Sequence, residues 1–171
     1  MRQPIRAVGI VIKDKSLLLM HRINQGKEYY VFPGGGVEEN ETIEEAITRE
    51  LREETSVEVN NLRLLYHHHI IGDANDSDQY FYLCDYVSGV PKLSEGNELA
   101  ENRAGTDFYE PLWYPISKLS QTLLYPLEIR DWLLEDLEKG FSNNVKEAVI
   151  KKTELRRRFN KSNKGTPCKW L

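Results

Sequence analysis

Residues 42 to 55, Thr-Ile-Glu-Glu-Ala-Ile-Thr-Arg-Glu-Leu-Arg-Glu-Glu-Thr, constrain the fold more tightly than any other stretch of this 171-residue chain. Thr42 with Glu45 three residues on is a capping box, so the helix begins near Ile43. At about 100° per residue, with Ile43 as zero, Ala46, Ile47 and Leu51 fall in an apolar arc from roughly 300° to roughly 80°. Glu50 at roughly 340° and Glu54 at roughly 20° lie inside that arc, and Glu53 at roughly 280° flanks it. Glu44, Thr48 and Arg52 fit a solvated face. Carboxylates on a core-facing stripe cost roughly several kcal/mol each unless they protonate, pair or bind a cation. Arg49 lies four residues before Glu53 and is spaced to bridge it, but one guanidinium does not neutralise three acids. A hard divalent cation does, and oxygen-only ligands select Mg²⁺ or Mn²⁺ over zinc. Protonated or paired carboxylates are the alternative.

The surrounding pattern is α/β. Ile5 to Ile12 and Leu17 to Arg22 read as a hairpin across Lys13-Asp14-Lys15-Ser16, and residues 28 to 32 as a further strand. Pro33, Gly34, Gly35 and Gly36 read as a loop, whose side-chain-free backbone lets carbonyls and N–H groups approach a metal or phosphate. Leu62 to Ile71 and Gln79 to Tyr86 read as a long hairpin, Val90 to Asp107 as a surface loop, and Phe108 to Tyr114 as a strand. Pro126 opens a helix from Leu127 to Lys139 that stops at Gly140, and a basic helix is expected from Asn144 to about Phe159. The expected division is one domain over residues 1–140 and a basic, helical extension over 141–171.

Charge is split the same way. Residues 141 to 171 carry nine Lys or Arg against two acids, a net of +7, and the stretch from 1 to 140 carries 14 basic against 25 acidic groups, a net of −11. An acidic body is unlike a nucleic-acid-binding surface, so nucleic acid is not expected as a partner, and the basic tail reads as a solvated face. With 40% hydrophobic residues and no run near the ~18 apolar residues of a membrane helix, a globular, cytoplasmic protein is expected. Cys84 and Cys168 make neither a disulfide framework nor a zinc site.

Gly35, five residues, Glu41, seven residues, and then Arg49-Glu50-Leu51-Arg52-Glu53-Glu54-Thr55-Ser56-Val57 resembles the signature of the Nudix hydrolase family, Gly-x5-Glu-x7-Arg-Glu-U-x-Glu-Glu-x-Gly-U with U aliphatic. The match spans 23 residues and departs at Ser56, where the family has glycine. That position favours a left-handed backbone, which costs serine about 1 kcal/mol. The resemblance implies an α/β/α sandwich around a mixed β-sheet and Mg²⁺-dependent attack of water on a pyrophosphate linkage in a nucleoside diphosphate joined to another moiety. It implies Glu50 and Glu54 as the main metal ligands, Glu53 as a further ligand and candidate base, and the Gly35 carbonyl as another contact. Arg49 would orient the glutamates, Glu41 would brace the loop, and Gly34, Gly35 and Gly36 would meet substrate.

Glu98, Glu101 and Asp107 in the late loop are further candidates for ligand or base by the same resemblance, against the plainer reading of exposed loop charges. Of His67, His68 and His69, only His67 and His69 face the same way on a strand. Tyr80, Phe81, Tyr82, Tyr109 and Trp113 read as core before base-stacking residues. The resemblance also makes a homodimer an expectation and nucleoside triphosphates, oxidised ones included, the first substrates to test. No proline occurs from Glu58 to Asp78, where the ADP-ribose subfamily carries a marker. The competing expectation is a catalytically silent module that binds a nucleotide or RNA and acts through the tail.

Overall fold

The computed structural model describes residues 4–94, 101, 102, 105 and 107–162, with side chains as far as Arg157. Strands β1 (Ile5–Lys13) and β2 (Ser16–Asn24) form the expected hairpin, turning on Asp14 and Lys15 at φ of 47° and 62°. Strand β3 (Lys27–Val31) pairs with β2, and β4 (Gly34–Gly36) pairs with β1. Helix α1 is Ile43–Thr55, and β5 (Glu58–Ile71) and β6 (Ser77–Ser88) form the long hairpin. Then come β7 (Phe108–Pro115), a 3-10 helix (Ile116–Gln121), β8 (Leu124–Tyr125), helix α2 (Leu127–Lys139), β9 (Lys146–Lys151) and helix α3 (Lys152–Ser162).

Among the described residues these strands make one mixed, curled sheet in the order β8-β3-β2-β1-β6-β5-β9, with β4 added to β1 and β7 to β2. The β1–β6, β3–β8 and β5–β9 pairs are parallel and the others antiparallel. One face buries Ala7, Val11, Leu18 and Cys84 against Ala46, Ile47 and Leu51 of α1. The opposite face buries Val8, Ile10, Leu19 and Phe81 against Ile129 and Leu133 of α2. Alternation along β1 therefore serves two helical layers, and the α/β/α sandwich is the observed fold.

Two expectations need correction. The glycine run is a strand, with Val8, Ala7 and Arg6 opposite Gly34, Gly35 and Gly36, because pairing with β1 overrides the weak strand propensity of glycine. The stretch from Lys146 to Lys151 is a parallel strand beside Tyr66–Ile71, with Ile150 buried, so the basic helix begins only at Lys152. There the Ala-Val-Ile run fits the pleated face of β5 better than a helix.

Leu51 is the contact that seats α1, fully buried in that layer. Opposite it, a Cβ on Gly9 would come within 2.7 Å of Leu51 Cδ1, so the helix lies close on β1 only because residue 9 is glycine. Leu51→Ala is expected to cost about 2–5 kcal/mol, read as a lower denaturation midpoint at unchanged m in urea.

Candidate active site

Helix α1 is capped as expected: the Thr42 hydroxyl accepts from the Glu45 N–H, the Glu45 carboxylate from the Thr42 N–H. At the other end Ser56 adopts the left-handed conformation, φ 59° and ψ 22°. Its hydroxyl donates to the Lys92 carbonyl at 3.1 Å and the Lys92 N–H to the Thr55 carbonyl at 3.0 Å, so serine ties the segment after β6 to the helix end. These two ends fix the rotation of α1, and that rotation decides where its acids point.

Glu50 and Glu54 turn toward β4. A Cβ on Gly35 would lie 2.2 Å from the Glu50 carboxylate, so the glycine leaves the space that the acid fills. The Gly34 N–H donates to Glu54 Oε2 at 2.8 Å. Glu53 stays on the flank, its side chain 54% exposed against 15% for Glu50. Two of the three predicted acids thus converge on the glycine strand, and the third borders it. Burial raises the Glu50 carboxyl above its ordinary range, opposed by the hydrogen bond and charge of Arg49.

Arg49 is the hub. It donates to Glu41 through Nε at 2.8 Å and Nη2 at 2.9 Å, to Glu50 through Nη1 at 2.8 Å, and to the Gly36 carbonyl at 3.0 Å. The i,i+4 contact with Glu53 is long, 3.5 Å, so the expected bridge is the weakest of its contacts. Glu41 also accepts from the Glu38 N–H, and the paired guanidinium holds its carboxyl below the usual range. Loop, glycine strand and helix are therefore locked by one guanidinium.

Arg6 is a site residue absent from the expectations drawn on sequence. Its guanidinium donates to the Gly34 carbonyl and its charge acts on Glu50. The signal was available, since a lone arginine among the apolar residues of β1 intrudes on a core strand as the glutamates do on α1.

Other candidates lie elsewhere. Glu101 accepts from the Tyr109 hydroxyl at 2.6 Å, which itself accepts from the buried Arg22 at 2.5 Å. Asp107 accepts from Asn24. Glu98 lies outside the described residues. His67 and His69 face one way and share Asp78 Oδ1 at 2.7 and 3.0 Å, whereas His68 is buried between Phe81 and Trp132. Phe81, Tyr82 and Tyr109 are buried as core, and Tyr80 stacks on His67 at 4.5 Å.

Among the described residues no three His, Cys, Asp or Glu side chains are gathered as a ready metal cage. Donor chemistry nonetheless fits a hard cation: Glu50 and Glu54 reach one glycine strand, Glu53 stands exposed on the flank beside them, and every donor is oxygen. The site is thus a helix that presents carboxylates to a bare backbone strand, inside an α/β/α sandwich.

Comparison with known proteins agrees. The NUDIX domain profile matches residues 3–134, and the chain belongs to the Nudix hydrolase family. It is 43% identical over 60 residues to the RNA pyrophosphohydrolase of Pseudomonas paraeruginosa, covering 34% of this chain and 36% of that one. It is 48% identical over 50 residues to the ADP-ribose pyrophosphatase of Methanocaldococcus jannaschii, covering 29% and 30%. The chain thus matches about a third of the length of these curated relatives. The MutT protein of Bacillus halodurans shares the fold at a TM-score of 0.65 and 17% identity, over 86% of this chain and 89% of that one. Among the described residues no helix is long and apolar enough to cross a membrane.

The raised Glu50 carboxyl sets a sign for stability. Folding favours its protonated form, so its contribution is greatest below the ordinary carboxylate value of 4.5 and is lost as pH rises through the higher folded value. Glu50→Gln is expected to melt above the wild type at neutral pH, with the gap closing as pH falls below that range, in thermal melts across a pH series.

Proposed function

We propose that the chain is a Mg²⁺-dependent pyrophosphohydrolase that cleaves the linkage of a nucleoside diphosphate joined to another moiety, nucleoside triphosphates and their oxidised forms being the first candidates. The observation that carries this reading is the convergence of Glu50 and Glu54 on the Gly34–Gly36 strand. The Pseudomonas and Methanocaldococcus relatives are called after different substrates, and both names denote cleavage of a pyrophosphate. A cytoplasmic address belongs to the same reading.

In this reading Glu50 and Glu54 hold the cation, with Glu53 as a further ligand. The bound cation supplies positive charge against the phosphate oxygens and lowers the pKa of a water. Arg49 opposes the effect of burial on the Glu50 carboxyl and fixes its direction, and Glu41 keeps Arg49 in place. The bare backbone of Gly34, Gly35 and Gly36 leaves room for the phosphate chain. Glu53, far more exposed than Glu50, is the proposed general base, since an exposed carboxylate changes rotamer and gives up a proton to solvent readily. The silent-module alternative loses support because a binding module has no need of these acids together.

The test is a panel of nucleoside triphosphates, nucleotide sugars and ADP-ribose, assayed with Mg²⁺, Mn²⁺ or excess chelator. At least one is expected to turn over, chelator abolishing the activity and Mg²⁺ restoring it, with Glu54→Gln lowering kcat/KM roughly 100-fold or more. No turnover above that variant on any substrate contradicts the reading.

A further inference from the structure

We propose that the outer edge of β9 pairs antiparallel with β9 of a second copy of this chain, about a two-fold axis that passes through Val149. The inference is independent of the hydrolase reading, since β9 lies beyond residues 3–134, the part that the family profile matches.

The backbone offers the contact. Strand β9 closes one end of the sheet: β5 takes one of its edges, in parallel, and among the described residues no strand takes the other. An edge left this way presents a row of N–H and C=O groups to another strand. Alternation then sorts the side chains. Ala148 and Ile150 share the face of His68 and Ile70, and there Leu155 of α3 packs on Ile70 and Ile150. Helix α3 therefore lies over that face of β5 and β9. Glu147, Val149 and Lys151 share the other face with His67, His69 and Ile71, and all three are exposed, Val149 to 68%. A valine that open in the middle of an edge strand favours pairing.

Charge selects the partner and the register. Two identical strands that pair antiparallel have their two-fold axis normal to the sheet, which keeps each face with itself, so the axis passes through a residue and not between two. Centred on Ala148, the pairing would set Glu147 against Val149 and Lys146 against Ile150. Centred on Val149, it sets Glu147 against Lys151 of the second copy, Ala148 against Ile150, and Val149 against itself. The strand thus complements its own copy on both faces, and the two-fold contact closes at a dimer. Both charges are open to it: Glu147 has His67 as a loose partner at 3.5 Å, and among the described residues no ion pair holds Lys151. Lysines often guard an edge, but Lys146 is drawn to Asp136 of α2 at 2.6 Å and to Glu135 at 3.2 Å, away from this one.

The test is sedimentation equilibrium of the full chain in low salt, from about 5 to about 500 µM, because a contact this short makes a weak dimer. A concentration-dependent rise from monomer toward dimer mass is expected. Glu147→Lys and Lys151→Glu each set like charges against one another twice across the axis, so each alone is expected to raise the dimer Kd roughly tenfold or more. An equimolar mixture of these two variants is expected to return to near the wild-type affinity, because unlike charges then meet at both ends of the contact. The double variant is expected to do the same. Both positions are exposed, so circular dichroism is expected to show unchanged folding in every variant. A single monomeric species across the whole range overturns the proposal. So does a dimer indifferent to both reversals, or one not recovered on mixing, since self-association would then use another surface or another register.

Discussion

Glu50 sits against the backbone of Gly35 with its carboxyl largely out of water, and the guanidinium of Arg49 makes that position tolerable. Most of the architecture around it serves this placement. The capping box and the left-handed Ser56 fix where α1 begins and ends, and Leu51 against Gly9 fixes its height above the sheet. Pairing of β4 with β1 fixes the strand that the acids meet. A change at any of these points moves the carboxylates relative to the glycines, and sites of this kind tolerate displacements of well under about 1 Å.

The arrangement stores a cost. A buried carboxylate whose ionisation opposes folding is the usual mark of a site kept for chemistry at the expense of stability. Arg49 compensates in part and couples four elements of the site: Glu41, Glu50, Glu53 and the Gly36 carbonyl. A lysine offers a point charge and no planar fork, so the same position filled by lysine would leave some of these acceptors unmet.

Helix α1 and its acids were legible in the sequence because the 3.6-residue period separates a core arc from a solvated one, and Glu50 and Glu54 fall on the wrong side of that division. The β1–β2 hairpin, the long β5–β6 hairpin and α2 were legible from alternation and turn residues. The glycine strand was not, because its conformation comes from a neighbour far away in sequence and not from its own side chains. Strand β9 was missed for a related reason: its lysines at both ends suggested a basic helix, and only the partner strand β5 decides otherwise. Arg6 was overlooked because a single charge in a strand carries no spacing, whereas the glutamates carry one.

Cation uptake itself, independent of turnover, is the sharpest measure of the account. Titrating Mn²⁺ into the protein while following the free ion by electron paramagnetic resonance should show saturable loss of the free-ion signal in the wild type and none in a Glu50→Gln, Glu54→Gln double variant that remains folded. Equal uptake by the two proteins, or no uptake by either, would contradict the claim that these carboxylates and the glycine strand make a divalent-cation site.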